Sequence, residues 1–402
     1  MQPPARYLVP LAASLCATLA CADSHDPLLA KRVDAVVDSA IADNRLVGTV
    51  VLVLRDGQLV YHRAAGLADR EDGRPMTEDT IFRLASVTKP LVSAAAMHLV
   101  EQGRLGLDDP VSRWLPDFNP KLADGTIPVI TVSQLLNHTA GLSYGFLESP
   151  HGPYRTAGVS DGLGEPEISF AENLKRIASV PLSYPPGTGW QYSMATDVLG
   201  AVLEKASGQS LPALLRDSVT EPLGLSDTGF SVTDIKRLSA AYQDGSPQPL
   251  RMVDKATITS GNSTALFDVR RILDPQAYPS GGAGMAGTAG DIARFLETIR
   301  RGGAPILSAH SVQLMVTDSV GAKAQTQDPG WGFGYGWAVL DDPALTGTPQ
   351  SRGTFEWGGA YGHSWFVDPQ QKLTVVALTN TAYEGMSGQF THQLRDAVYP
   401  PQ

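Results

Sequence analysis

The sequence predicts an α+β protein. One antiparallel sheet is built from both chain ends, helices pack on it, and the middle of the chain forms a mainly helical lobe. Three observations carry this. Residues 48–66, "GTVVLVLRDGQLVYHRAAG", are two β-rich runs flanking Asp56-Gly57, a hairpin signal. After residue 330 the runs "WGFGYGWAVL", "GTFEWGG", "HSWFVDP" and "KLTVVALTN" read as strands separated by turns. Between these ends, short segments with helical spacing alternate with Gly/Pro-rich loops. A chain of 402 residues is long for one core, so two lobes with a cleft between them are expected. The α/β lobe takes about residues 23–90 and 289–402, and the helical lobe about 91–288.

Taken in order, Leu29, Val33, Val36, Val37, Ala40 and Ile41 give residues 27–43 a helical rhythm. The apolar run after Lys89 continues as a helix to about Gln102, with Gly103 placed to end it. "TVSQLLNHT" opens on a capping residue, and "FAENLKRIASV" and "MATDVLGAVLEKASG" have the helical period, the latter stopping at Ser207-Gly208. Residues 240–288, rich in Gly, Ser, Pro and Asp, read as irregular, a loop region of the kind that forms functional lids or walls. "TAGDIARFLETIRRGG" is a further helix, and the chain closes on one near residues 386–398. No internal repeat or low-complexity run is present.

The first 22 residues carry one cation, Arg6, no acid, an apolar stretch and the ending Ala20-Cys21-Ala22, an A-x-A cleavage pattern. They read as a secretory signal peptide, which implies a periplasmic or secreted protein. Anchoring as a lipoprotein at Cys21 is the weaker alternative, because Thr18 stands where such sites usually carry Leu. Both cysteines, Cys16 and Cys21, fall in this segment, so cleavage after Ala22 leaves no thiol for disulfides, catalysis or metal binding. Elsewhere no apolar run is long enough to span a membrane. The net charge of −10 and the lack of a basic run argue against nucleic acid as a partner. No His/Asp/Glu cluster has metal-ligand spacing and no glycine-rich phosphate loop follows a strand, so neither metal nor nucleotide cofactor is expected.

The chemistry concentrates in three places. In "LASVTKP", Ser86 and Lys89 sit three apart at a helix start, on one face and beside its free N–H groups. A lysine held partly out of water is neutral often enough to take a proton from a serine. S-x-x-K alone is a weak signal and by itself is better read as an ordinary helix start with an exposed lysine. In "YPPGTGWQYSMATDVLG", a stiff turn delivers Tyr192 just before a helix, where its hydroxyl could carry protons; alone, a core tyrosine is the better reading. In "FEWGGAYGHSWFVDP", Trp357 leads into Gly358-Gly359, which would let a backbone or substrate come close and an N–H face an oxyanion; the plain alternative is a β-turn.

Together and in this order, these motifs resemble the serine β-lactamase and penicillin-binding-protein superfamily, whose S-x-x-K set Ser86 and Lys89 match. The resemblance runs from about residue 28 to 395 and includes "LLNHTAGL", "PPGTGWQYS" and "SGGAGMAGTAGDIARF". It is nearest to the class C-like branch and, within that, to the family VIII carboxylesterases. It implies a β-lactamase-like fold, Ser86 as acylated nucleophile, Lys89 as its base, Tyr192 as proton relay, and the backbone N–H groups of Ser86 and Ala360 as oxyanion hole. Two departures bear on substrate. Met194 stands where class C enzymes end their Y-x-N motif in asparagine, and Trp357-Gly358-Gly359 replaces Lys-Thr-Gly. Both remove polar groups that suit charged β-lactams or peptides, so a small uncharged ester, with a short acyl chain, is the expected substrate. Amide hydrolysis and acyl transfer through the same acyl-enzyme are the alternatives, together with a binding protein that kept the fold. Tyr144, Met194, Trp357, Gly358, Gly359 and His363 are expected to line the substrate pocket.

Gly141-Leu142-Ser143-Tyr144-Gly145 also matches G-x-S-x-G, but the segment before it is helical and a loop follows, whereas that motif needs a strand before and a helix after. Ser143 is therefore rejected as nucleophile. His138 is expected to bridge local backbone.

Overall fold

The computed structural model describes residues 27–400 apart from 165–166, 261–262, 325 and 327–328; the expected signal segment 1–22 lies outside the described residues. The two chain ends meet in one eight-stranded antiparallel sheet. In spatial order its strands are Trp331–Phe333, Ala338–Leu340, Phe355–Gly359, His363–Asp368, Leu373–Thr379, Gly48–Arg55, Gln58–Asp69 and Arg74–Pro75. The seam between the ends is the pairing of Gly48–Arg55 with Leu373–Thr379, with Val51 opposite Ala377. Asp56 (φ 49°) and Gly57 (φ 80°) both take the left-handed conformation that a tight hairpin needs to match strand twist.

The central strands are apolar at nearly every position because both faces are covered. Val50, Leu52, Val376 and Leu378 point into the large core shared with the helices of the middle of the chain. Their neighbours Val51, Val53, Val375 and Ala377 point the other way, onto Leu29, Val33 and Val37 of the helix Pro27–Ala42 and Phe390 and Leu394 of the helix Gln389–Val398. Each such side chain contributes about 1.5–3 kcal/mol by leaving water.

The helix Thr88–Glu101 runs through the large core, and every residue from Thr88 to Met97 is buried. That explains an apolar run without an amphipathic stripe. It ends where expected, with Gly103 left-handed (φ 66°). The helix Val132–Leu136 starts in a capping box between Thr131 and Gln134, and Ala195–Ser207 stops at left-handed Gly208. The expectation for residues 240–288 needs correction. The strands Lys255–Ser260 and Ser263–Asp268 pair as a hairpin, with Thr257 opposite Leu266. Their alternation of Thr and Ser with a few apolar residues hid the strand period in the sequence. The hairpin leans on the short turn Gly145–Leu147, where the Ser263 hydroxyl donates to the Phe146 carbonyl at 2.8 Å.

Candidate active site

Ser86 sits one turn earlier than a simple helix start. Residues Ala85–Val87 form a 3₁₀ turn that runs into the helix beginning at Thr88. Lys89 follows three residues on, in the first turn of that helix, and so shares a face with Ser86. Ala85 holds φ 46°, an uncommon value for alanine that is retained beside the serine. Lys89 Nζ lies 3.1 Å from Ser86 Oγ and donates to the Gly282 carbonyl at 2.8 Å. The Lys89 side chain is fully buried, 4.5 Å from the ring centre of Tyr192 and 5.3 Å from that of Tyr144. The Tyr192 hydroxyl reaches Ser86 Oγ at 2.6 Å. Two groups from motifs about a hundred residues apart, Lys89 and Tyr192, thus converge on the Ser86 oxygen.

Tyr192 is held by the segment that carried the decoy. The Gln191 N–H donates to the His138 carbonyl at 3.1 Å and the Met194 N–H to the Ser143 carbonyl at 3.1 Å. His138 Nδ1 is 3.1 Å from the Ser193 hydroxyl, and its ring lies 5.0 Å from that of Tyr192. Burial pushes His138 well below the usual histidine range, so it is a neutral bridge rather than a second charge. The bridge is not to local backbone, as expected from the sequence, but to Ser193, 55 residues further along the chain.

A cluster of aromatic rings surrounds Tyr192 beside the serine. The half-buried Trp357 ring is 5.1 Å from Tyr192 and 5.3 Å from Phe333, and Trp190 lies 5.4 Å from Phe333. Phe146 stacks on Tyr144 at 4.5 Å. Trp190, Phe333 and Phe146 were not singled out from the sequence, because an aromatic residue in a loop, turn or short strand carries no local signal of what it faces.

Five expected pocket residues take other places. Met194 is fully buried at the start of the helix Ala195–Ser207 and lines no open surface. Tyr144 is 2% exposed and packs behind Lys89 rather than beside the substrate space. His363 is fully buried: Nε2 donates to the Arg83 carbonyl at 2.7 Å, its ring meets Phe82 edge-on, and burial lowers its pKa to about 4. It ties the strand His363–Asp368 to the segment leading into Ser86. Gly359 gives close approach to the chain itself, since a Cβ there would stand 2.3 Å from the Leu84 carbonyl oxygen. Gly358 does the same towards the His363 carbonyl oxygen, 2.6 Å from its would-be Cβ. Trp357 stays half-buried, with its ring beside Tyr192 and Phe333.

Ser143 is buried in a bend between a helix and a 3₁₀ turn. Its N–H donates to the Tyr154 hydroxyl at 3.1 Å, and its Oγ is 3.5 Å from the Gln191 side-chain amide. Among the described residues no base is hydrogen-bonded to its Oγ.

A serine between a buried lysine and a tyrosine, with aromatic rings beside them, agrees with the family match, in which the model described as Beta-lactamase spans residues 33–399. The chain belongs to the beta-lactamase family. Among curated members it is similar to esterase EstB of Burkholderia gladioli, 54% identical over 376 residues that cover 92% of this chain and 95% of that one. It is 27% identical to the lovastatin esterase of Penicillium rubens, covering 85% of this chain and 91% of that one. Among solved structures it superposes on EstCE1, described as a hydrolase with promiscuous acyltransferase activity, with a TM-score of 0.91, 49% identity, and coverage of 93% of this chain and 99% of that one. A D-amino acid amidase from Ochrobactrum anthropi shares the beta-lactamase fold at 20% identity and a TM-score of 0.69, over 92% of this chain and 98% of that one.

Proposed function

We propose that this chain is a serine carboxylesterase that cleaves small uncharged esters, with short acyl chains, through an acyl-enzyme on Ser86. The observation that carries this reading is Ser86 Oγ held 2.6 Å from Tyr192 Oη and 3.1 Å from Lys89 Nζ. The similarity to esterases over nearly the whole length supports it. In acylation, the Ser86 proton passes to the Tyr192–Lys89 pair as Oγ attacks the ester carbonyl carbon. The carbonyl oxygen takes the negative charge, stabilised by the backbone N–H groups of Ser86 and Ala360. The tetrahedral adduct collapses, the C–O bond to the alcohol breaks, and the pair returns the proton to the departing oxygen. Water then repeats the sequence on the acyl-enzyme, releasing the acid and restoring Ser86.

Aromatic Trp357 in place of a cation leaves nothing there to bind a substrate carboxylate, which favours uncharged esters over β-lactams. The substrate enters between the α/β lobe (about residues 23–90 and 289–402) and the helical lobe (about 91–288). Residues 1–22 direct export to the periplasm or beyond, after which they are removed. The expected partner is a small-molecule ester, and the negative charge disfavours nucleic acid. Among the described residues no helix is long and apolar enough to cross a membrane. A second reading, transfer of the acyl group to an alcohol in place of water, is favoured by the activity stated for EstCE1.

The test is a side-by-side assay of the mature protein and Ser86→Ala on p-nitrophenyl butyrate and a chromogenic cephalosporin. Ester cleavage that disappears in the variant, with slow β-lactam opening, is expected. Ester cleavage that survives in Ser86→Ala, or dominant β-lactam turnover in the unmodified protein, overturns the reading. Adding a short alcohol and measuring ester product separates transfer from hydrolysis.

A further inference from the structure

Behind Lys89 lies a carboxylate that the chemistry above does not use. Asp197, in the first turn of the helix Ala195–Ser207, is 0% exposed, and neither of its side-chain oxygens makes an aligned hydrogen bond. A carboxylate kept for structure spends its lone pairs on hydrogen bonds, because an unpaired buried charge is costly. This one is instead brought against Lys89 through a single residue. The carbonyl of Gly282 accepts from Lys89 Nζ at 2.8 Å. A Cβ on the same Gly282 would stand 2.4 Å from Asp197 Oδ2 and 2.9 Å from Tyr144 Oη. At Gly281 a Cβ would stand 2.6 Å from the Thr196 carbonyl oxygen. The paired glycines of "SGGAG" therefore let this loop close on the helix start, with both Asp197 and Lys89 set against Gly282.

We propose that Asp197 is the buried counter-charge of Lys89, a positioning residue that acts through the lysine to hold the proton taken from Ser86. The proposal rests on the reading of Ser86 as the acylated nucleophile. When Ser86 gives up its proton, a positive charge appears on Lys89 in a place that water does not reach. An anion one residue away offsets the cost of that charge, and the helix start favours the anion in turn. No bond to Asp197 forms or breaks. The proton moves from Ser86 Oγ to the Tyr192–Lys89 pair and on to the leaving alcohol, while Asp197 stays ionised.

The surroundings agree. Burial raises the Asp197 pKa to about 6, opposed by the Ser280 hydroxyl and the Gly282 N–H, which lie near the carboxylate without forming an aligned bond, and by the charges of Lys89 and Arg271. Tyr144, Tyr192, Tyr278, Asp161 and His138 are the other titratable groups that the described residues bring to this pocket. A carboxyl raised above its unfolded value stabilises the fold only below that value, and this contribution is lost as pH rises through about 6. At working pH the ionised Asp197 is thus a burden on the fold, which is what a group retained for chemistry looks like.

The experiment is the pH profile of kcat/KM on p-nitrophenyl butyrate for the unmodified protein, Asp197→Asn and Ser280→Ala, with Ser86→Ala as control and melting temperatures at pH 8. Asp197→Asn is expected to lower kcat/KM at pH 8 by about 10–100-fold, the size of one charge acting across a buried gap. It should also lose the acid limb near pH 6, with a melting temperature no lower than that of the unmodified protein. Ser280→Ala, which removes a group that holds the carboxyl ionised, should move that limb to higher pH. Unaltered kcat/KM in Asp197→Asn overturns the proposal. So does a rate loss with an unchanged limb and a lower melting temperature, and so does a limb unmoved in Ser280→Ala. Ester cleavage that persists in Ser86→Ala sinks the esterase reading instead.

Discussion

Two serines in this chain carry a motif for nucleophilic catalysis, and their surroundings could hardly differ more. Ser86 stands half-exposed on a 3₁₀ turn, 2.6 Å from Tyr192 Oη and 3.1 Å from Lys89 Nζ. Ser143 is 5% exposed in a bend, with its backbone N–H donating to Tyr154 and its hydroxyl facing an amide. The pattern G-x-S-x-G is the longer of the two, yet its glycines serve ordinary packing. Gly141 holds φ 82°, and a Cβ there would stand 2.4 Å from the Tyr184 carbonyl oxygen. The lesson is that a nucleophile is defined by what accepts its proton, not by the spacing of residues around it. The decoy segment still contributes, because its carbonyls at His138 and Ser143 hold the chain on either side of Tyr192.

The largest effect separates the two serines outright. Ser86→Ala should lower kcat for ester cleavage by about 10⁴-fold or more, the scale seen when a catalytic nucleophile is removed. Ser143→Ala should leave kcat/KM within about twofold, as for substitutions away from the reacting atoms. Equal losses in both would erase the contrast. Next, Tyr192→Phe removes the closer proton partner and should lower kcat by about 10²–10⁴-fold, with KM little changed. Wild-type rates in that variant would leave Lys89 as the sole partner.

Trp357→Lys sharpens the contrast in substrate rather than in rate. A cation placed at this position should weaken binding of uncharged esters and favour substrates that carry a carboxylate, a shift in relative kcat/KM of about 10-fold. Competition between p-nitrophenyl butyrate and a carboxylate-bearing ester reads it. The smallest effect concerns the support of the serine turn. His363→Ala removes the donor to the Arg83 carbonyl, at a cost of about 1–3 kcal/mol, and should lower the melting temperature by a few degrees. The folded protein takes up this proton only near pH 4, whereas the unfolded chain does so near its ordinary value of 6.5. Between those values the unfolded state binds more protons. Stability therefore falls as pH drops through that window, and His363→Ala should lose this part of the slope. A melting temperature unchanged by the substitution at pH 7 would place His363 outside the support of Ser86.

Much of the architecture was legible because it follows from local patterning. The Asp56-Gly57 hairpin, the Gly103 and Gly208 helix ends and the Thr131 cap depend on a few neighbouring residues and their backbone preferences. The meeting of both chain ends in one sheet followed from their shared strand texture. The Lys255–Ser260 hairpin was not legible, since its Thr and Ser residues look like loop composition until they pair.

For the site, residue type and spacing were enough to single out Ser86, Lys89, Tyr192 and Trp357, because each carries its chemistry or bulk in the side chain itself. Which way a side chain points was decided only by tertiary packing. Met194 turned into the core, Tyr144 went beneath Lys89, and His363 turned to the Arg83 carbonyl, all from positions that a strand or loop leaves open to either face. Asp197 was the plainest omission. Its only sign was an acid at the start of an apolar helix, which reads as ordinary helix-start chemistry. The close approach of Gly281 and Gly282 to that helix start gives it a lysine to act on, and contact across some eighty-five residues of chain is not a property of any local pattern.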